Sequence, residues 1–246
     1  MQQRINNYSS SLSTILTDLP ADSRSPRNKE LSKKFFRFPE EAIFIYSFIE
    51  DRILYADGWP EVLGYGNEEM NMHLYIAITT EEFASFTNEL NQQALQYIAI
   101  QSEDLELHGY SMQLKKYHKD GREVPLVANV NVFKTHDGKI TEIICRSMIN
   151  RNLKFGKVMQ YSTYGPKKDN FEDKLNKDLF SNLTISLKEK ETVGLLAQGK
   201  SYKQIAAEQN VTISAIEKRI APLFKRFDVN GVAHLISFCH ENYLID

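Results

Sequence analysis

Two short patterns near the C-terminus fix where helices must begin. Ser186 is followed three residues on by Glu189, and Ser201 by Gln204. In each pair the hydroxyl accepts from one otherwise unpaired N–H of a first helical turn, and the carboxylate or amide accepts from another. Thr212 stands as a third cap. Gly199 sits where a left-handed residue ends the first helix, and Asn210-Val211 supplies a turn before the third. Two short helices therefore lead into a third.

The third helix carries Ile216, Ile220, Leu223 and Phe227 at spacings of four, three and four, which gathers them on one buried side. The opposite side presents Ser214, Glu217, Lys218, Ala221, Pro222 and Lys225, with Arg219 and Arg226 on a flank. From Thr212 to Arg226, Lys218, Arg219, Lys225 and Arg226 outweigh the single anion Glu217. Such a helix fits a DNA major groove.

The run ISLKEKETVGLLAQGKSYKQIAAEQNVTISAIEKRIAPLFKRFDV, Ile185 to Val229, resembles the LuxR-type helix-turn-helix of bacterial transcription regulators. The shared pattern is hydrophobic-Ser, Lys-Glu-x-Glu, Leu-Leu-Ala-x-Gly, Ser-x-Lys-x-Ile-Ala, then hydroxyl-x-x-x-Ile-Glu-Lys. The resemblance implies that the third helix enters the major groove and assigns base-edge reading to Glu217, Lys218 and Ala221. Their chemistry suits it: a carboxylate accepts from a cytosine amino group, an ammonium donates to guanine, and a methyl meets the thymine methyl. Lys203, Thr212, Ser214, Arg219 and Lys225 are placed for the phosphate backbone, which fixes register without reading sequence.

The chain departs from that family at Ala215, usually Thr, at Arg219, usually His, and at Gly231, where Arg is common. Pro222 falls inside the third helix, where proline removes one backbone bond and crowds the carbonyl of Lys218, at roughly 3 kcal/mol in a helix interior. The helix either bends there or ends near Ala221, with a new one starting at Pro222. Ile185 to Asp246 has a net charge of only plus one. Few phosphate contacts per protomer imply weak, salt-sensitive binding by a single copy, so a dimer is expected.

A surface for dimerisation follows Asn230-Gly231. Val232, Leu235, Ile236, Cys239 and Tyr243 form an apolar stripe on a fourth helix. Part of it packs on the other three helices. In LuxR-type proteins this helix pairs two DNA-binding domains, so part is expected to be intermolecular.

The rest of the 246-residue chain is long enough for a second domain with linkers. Two cysteines, Cys145 and Cys239, make no disulfide framework and suit a reducing compartment. Residues 1 to 20 are Ser- and Asn-rich without an apolar run, and no stretch reaches the roughly 18 apolar residues of a membrane span. A cytoplasmic protein with no membrane partner is expected.

Ala42 to Ile49 and Arg52 to Ala56 read as two strands. Lys119-Asp120-Gly121 and His136-Asp137-Gly138 are hairpin turns separating strands near 105 to 118, 122 to 134 and 140 to 149. In the middle strand Val124, Leu126, Ala128, Val130 and Val132 share one face, Asn129 and Asn131 the other. Between the strand groups, Trp59 to Gln101 is helical in pattern, with Phe83, Phe86, Leu90, Ala94 and Tyr97 at helical spacing.

Ile53 to Glu69 (ILYADGWPEVLGYGNEE) and Lys115 to Asn150 (KKYHKDGREVPLVANVNVFKTHDGKITEIICRSMIN) give this region a resemblance to PAS domains. It implies a sensory and dimerising module that regulates the attached domain, its core empty or holding a small ligand. The flavin-binding motif, a Cys in an Asn-Cys-Arg-like helix, has no match, because Cys145 falls on the last strand. Haem requires an axial His, and His73, His108 and His118 sit in no distinctive setting. No cofactor is expected.

Ile5, Tyr8, Leu12, Ile15 and Leu19 predict an amphipathic helix over 4–19, a second pairing surface. After Tyr164-Gly165-Pro166, the residues Phe171, Leu175, Leu179 and Leu183 propose a connector helix. No phosphate-binding loop, dinucleotide fingerprint or nucleophile motif occurs, and His234, Cys239 and His240 lack a fourth metal ligand, so no enzyme is expected.

The sequence thus predicts an α+β chain: an N-terminal PAS domain, an antiparallel sheet with flanking helices, followed by an all-α, four-helix LuxR-type domain. The expected boundaries are 1–38 for the N-terminal helix and linker, 39–150 for the PAS domain, 151–183 for the connector and 184–246 for the helix-turn-helix. The implied partners are double-stranded DNA, a second copy of the chain as homodimer, and RNA polymerase. The alternative is a protein-interaction module whose helix-turn-helix no longer reads DNA.

Overall fold

A computed structural model describes residues 19–101, 103–166, 168–178 and 184–245. The amphipathic segment expected over 4–19 lies outside them except for Leu19, as do Leu179 and Leu183. The described residues fall into two compact units, one within Met1–Leu153 and Ser162–Leu179, the other within Lys154–Tyr161 and Phe180–Asp246.

The first unit is built on an antiparallel sheet ordered β2-β1-β5-β4-β3, from β1 (Glu41–Ser47), β2 (Arg52–Asp57), β3 (Gly109–Tyr117), β4 (Glu123–His136) and β5 (Lys139–Ile149). The β4–β5 hairpin closes through Asp137 at φ 49° and Gly138 at φ 69°. Two successive positive φ angles are what a two-residue hairpin needs to match strand twist. Alternation along β4 buries Val124, Leu126, Ala128, Val130 and Val132. Register places them opposite Lys116, Leu114, Met112, Tyr110 and, for Val132, Ile143 of β5.

Three helices lie in the chain between β2 and β3: α2 (Trp59–Leu63), α3 (Met72–Ala77) and α4 (Glu81–Ala99). The two-strand, helices, three-strand order expected from the PAS resemblance is the order observed. On α4, Phe83, Phe86, Leu90 and Ala94 are buried and Tyr97 is half-buried.

Two elements fall outside the expected pattern. Pro26–Lys34 forms a helix, α1, capped by the Ser25 side chain on Asn28 N, in a stretch read as linker. Its single large apolar residue, Leu31, is fully buried with Ile43, Ile45, Leu54 and Tyr55, and Asn28 Nδ2 donates to Leu54 O at 3.0 Å. The expected connector helix is α5 (Lys168–Asp178), and it belongs to the first unit. Phe171 stacks on Tyr97 with centroids 4.4 Å apart, and both Phe171 and Leu175 are fully buried.

The second unit is not all-α as expected, because a short parallel ladder accompanies its helices. It holds α6 (Leu187–Ala197), α7 (Tyr202–Glu208), α8 (Ile213–Arg226) and α9 (Val232–Glu241), together with a short parallel ladder. In that ladder Met159, Gln160 and Tyr161, from β6 (Met159–Tyr164), pair with Thr184, Ile185 and Ser186 of β7 (Thr184–Ser186). Residues 154–161 therefore pack with the helices. Val158 joins their core, and Lys157 N donates to Asn242 Oδ1 at 2.8 Å. Gly156 lies so close to Asn242 that a Cβ there would come within 2.6 Å of its Cα.

Candidate nucleic-acid interface and sensor cavity

All three expected helix caps are formed in the second unit. Ser186 Oγ accepts from Glu189 N at 3.2 Å, and Glu189 Oε2 accepts from Ser186 N at 3.0 Å. Ser201 and Gln204 repeat the exchange at the start of α7, and Thr212 Oγ1 accepts from Ala215 N at 3.1 Å to open α8. Gly199, at φ 81°, ends α6, and Asn210, at φ 53°, turns α7 into α8. Ile205 and Ala206 of α7 and Ile216, Ile220 and Leu223 of α8 are buried in one core with Val193 and Leu196 of α6.

The far side of α8 is exposed along its length: Ser214, Glu217, Lys218, Ala221, Pro222 and Lys225 all face solvent, and Lys203 is exposed on α7. The three residues expected to read bases thus share one open face. The helix runs undivided from Ile213 to Arg226, so Pro222 does not split it, and Phe227 N closes its end on Leu223 O at 2.9 Å.

Arg219, expected at the DNA backbone, is half-exposed, and its Nη1 donates to Thr192 Oγ1 at 2.8 Å and to Gln209 Oε1 at 2.6 Å, bracing α8 against α6 and the end of α7. Position 219 adjoins the buried Ile220, and a long side chain there carries its charge to polar partners along the domain surface. Arg226 turns inward as well, donating to both oxygens of buried Glu189, at 2.9 and 3.1 Å, and to Thr184 O at 3.0 Å. The outward cations of α8 are therefore Lys218 and Lys225, beside Glu217. The charge excess read from sequence is largely internal. Thr212, with its hydroxyl in the cap, remains exposed.

The apolar stripe of the fourth helix is divided. Leu235 and Cys239 of α9 are buried, Phe238 stacks on Phe227 with centroids 4.8 Å apart, and Val232 and Ile236 are half-buried. Tyr243 lies beyond the helix and is exposed, with Lys154 Nζ 5.8 Å from its ring centre. Ala233, His234, Ser237, His240 and Glu241 form the outer face. Burial pushes the Cys239 thiol up to about 12.

The first unit holds a cavity of about 290 Å³ between the inner faces of β1, β3, β4 and β5 and the helices α3 and α4. This is room for one small organic molecule. Alternation along β3 points Tyr110, Met112, Leu114 and Lys116 inward. Lys116 is thus a core-face residue, 1% exposed. Its Nζ donates to Tyr75 O at 2.6 Å and Thr79 Oγ1 at 2.8 Å, and lies 3.6 Å from the centre of the Tyr75 ring. Burial lowers its pKa to about 7.

Around it, Tyr75 Oη lies 3.5 Å from Cys145 Sγ, and Tyr110 Oη donates to Asn91 Oδ1 at 2.6 Å. Burial holds both phenols well above their usual range and raises the Cys145 thiol. Tyr46 Oη donates to Asp51 at another part of the wall. No histidine is among the lining residues; His108 is buried elsewhere, with Nδ1 3.0 Å from Asp104 O. Sequence reasoning passed over Lys116, although its even spacing from Tyr110, Met112 and Leu114 marks the inward face. Among the described residues no helix is long and apolar enough to cross a membrane, and no group of three or more His, Cys, Asp or Glu residues forms a metal-binding cluster.

No family model matches the chain, and no curated protein matches it. Among solved structures it is similar to the Vibrio cholerae VqmA dimer, described as a LuxR-type receptor, at 17% identity over 88% of this chain and 90% of that one, with a TM-score of 0.36. A phage VqmA–DPO complex aligns at 16% identity over 86% of this chain and 85% of that one, with a TM-score of 0.34. The RsLOV d2 variant aligns at 11% identity over 84% of this chain and 99% of that one, with a TM-score of 0.40. None of the three supplies a functional assignment.

Proposed function

We propose that this chain is a sequence-specific DNA-binding transcription regulator, not an enzyme, in which a PAS-type sensor in the first unit controls a LuxR-type helix-turn-helix in the second. The observation that carries the reading is the outer face of α8. Ser214, Glu217, Lys218, Ala221 and Lys225 are exposed in succession on a helix capped by Thr212 and held from behind by α6 and α7. A helix presented in this way can enter a major groove with Glu217, Lys218 and Ala221 at base edges and Lys203, Thr212, Ser214 and Lys225 at phosphates. With two outward cations beside one anion, a single copy gains little from counterion release, and useful affinity requires a homodimer on two half-sites about one helical turn apart.

The test is selection of the full chain from a pool of random duplexes at several salt concentrations. A two-fold symmetric enriched motif is the expected result; retention without an enriched sequence would overturn sequence-specific reading.

A protein-interaction module is the second reading. It is favoured by Val211 and Ile213, 37% and 44% exposed at the start of α8, which together with Pro222 make part of the outer face apolar. Replacing both Lys218 and Lys225 with Ala separates the two: DNA binding is lost under the first reading, whereas under the second only changes at Val211 and Ile213 disturb the partner. Arg219 is unsuitable for this purpose, because removing it also unbraces α8.

A further inference from the structure

We infer that the cavity of the first unit is a binding site for a small organic anion, an aryl or branched-chain carboxylate, with the Lys116 ammonium as its counter-charge. The inference deepens the sensor reading of that unit and is independent of DNA binding.

A buried ammonium is costly unless it is paired. The groups that hold Lys116 are a carbonyl, a hydroxyl and an aromatic face, all neutral. Elsewhere in the same unit the protein does pair its charges: Arg146 meets buried Glu41 at 2.7 Å, and Lys115, the adjacent residue on the other face of β3, meets Glu82 and Glu123. Beside Lys116, Tyr75 from α3 is held neutral by burial, and the Cys145 thiol of β5, itself raised by burial, is the one charge-bearing group that opposes the loss of the Lys116 proton. Asp51, the one carboxylate among the lining residues, accepts from Tyr46.

An ammonium donates three hydrogen bonds, and Tyr75 O and Thr79 Oγ1 accept two. A carboxylate in the cavity accepts the third and supplies the missing charge. The remaining wall suits a hydrocarbon body: Phe44, Leu95, Met112, Leu114, Val130 and Ile143 line it. Binding an anion requires Lys116 to be charged, so with its pKa lowered to about 7, affinity falls as pH rises through that value.

The test is calorimetric titration of the full chain with benzoate, phenylacetate and 3-phenylpropionate, each against its neutral amide, for wild type, K116M and K116Q. At least one acid is expected to bind wild type roughly tenfold or more tightly than its amide. That acid should bind about thirtyfold more weakly at about pH 8.5 than at about pH 6. Both variants, checked for a native thermal transition, should lose the preference and the pH dependence. Equal binding of acid and amide, a preference that survives in K116M and K116Q, or no saturable binding by any of the three acids would overturn the assignment. Since no DNA is present, failure here leaves the regulator reading untouched, and failure to select DNA leaves this one.

Discussion

Glu189 in the second unit and Lys116 in the first are both buried charged side chains, and the fold treats them in opposite ways. Glu189 accepts from the Ser186 backbone N–H and from Arg226, so a helix start and a helix end are tied through one carboxylate. Lys116 is held by a carbonyl, a hydroxyl and the Tyr75 ring, and it lines the cavity. The first arrangement meets a charge with an opposite charge; the second meets it with a carbonyl, a hydroxyl and a ring. The same contrast divides the cations of α8: Arg219 and Arg226 hold the domain together, whereas Lys218 and Lys225 are presented to solvent.

R226A leaves Glu189 buried with its cation removed. Loss of about 3–5 kcal/mol is expected, read as a shift in the helical circular-dichroism transition in urea. A shift below about 1 kcal/mol would show that the pair is no more structural than a surface bridge.

Lys116 predicts a pH dependence of the opposite character. Its pKa, about 7 in the fold against 10.5 ordinarily, means that the unfolded chain holds the extra proton between those values. Stability therefore carries its full penalty below about pH 7 and rises with pH above it, by about 2 kcal/mol from pH 7 to 9. Trp59, the one tryptophan, fully buried in the first unit, reports this unfolding. K116M should flatten the slope; an unchanged slope would place its origin in other groups.

Smaller effects sharpen the picture in the second unit. S186A removes one half of a capping box that also positions Glu189 and should cost about 1–2 kcal/mol, and T212A about 1 kcal/mol, in thermal or urea unfolding. K218A, fully on the outer face of α8, should change stability by less than about 0.5 kcal/mol. If K218A destabilised the domain as T212A does, its side chain would belong with Arg219 rather than with the exposed face.

Much of this was legible in the chain itself, for identifiable reasons. Ser186 and Glu189, Ser201 and Gln204, and Thr212 announce helix starts because their bonds are local, and Asp137-Gly138 announces a hairpin because few residues tolerate those backbone angles. Periodicity correctly buried Ile216, Ile220 and Leu223 but located only where side chains leave the helix. Where a long guanidinium ends depends on partners distant in sequence, so the bonds of Arg219 to Thr192 and Gln209 leave no trace in the periodicity. The Met159–Tyr161 ladder is too short to leave a pattern, and α1 buries one large apolar residue, Leu31, too few to show a stripe. Lys116 was hidden by its residue type, since a lysine is read as surface unless the alternation of β3 is trusted over it.

Fluorescence anisotropy of a duplex recovered by selection, titrated with wild type and K218A over a range of salt, tests directly whether the outer face of α8 reads DNA. K218A is expected to fold as wild type does, to bind roughly tenfold or more weakly, and to lose about 1–3 kcal/mol of discrimination at one base pair. Equal affinity and equal discrimination in the two proteins would contradict it.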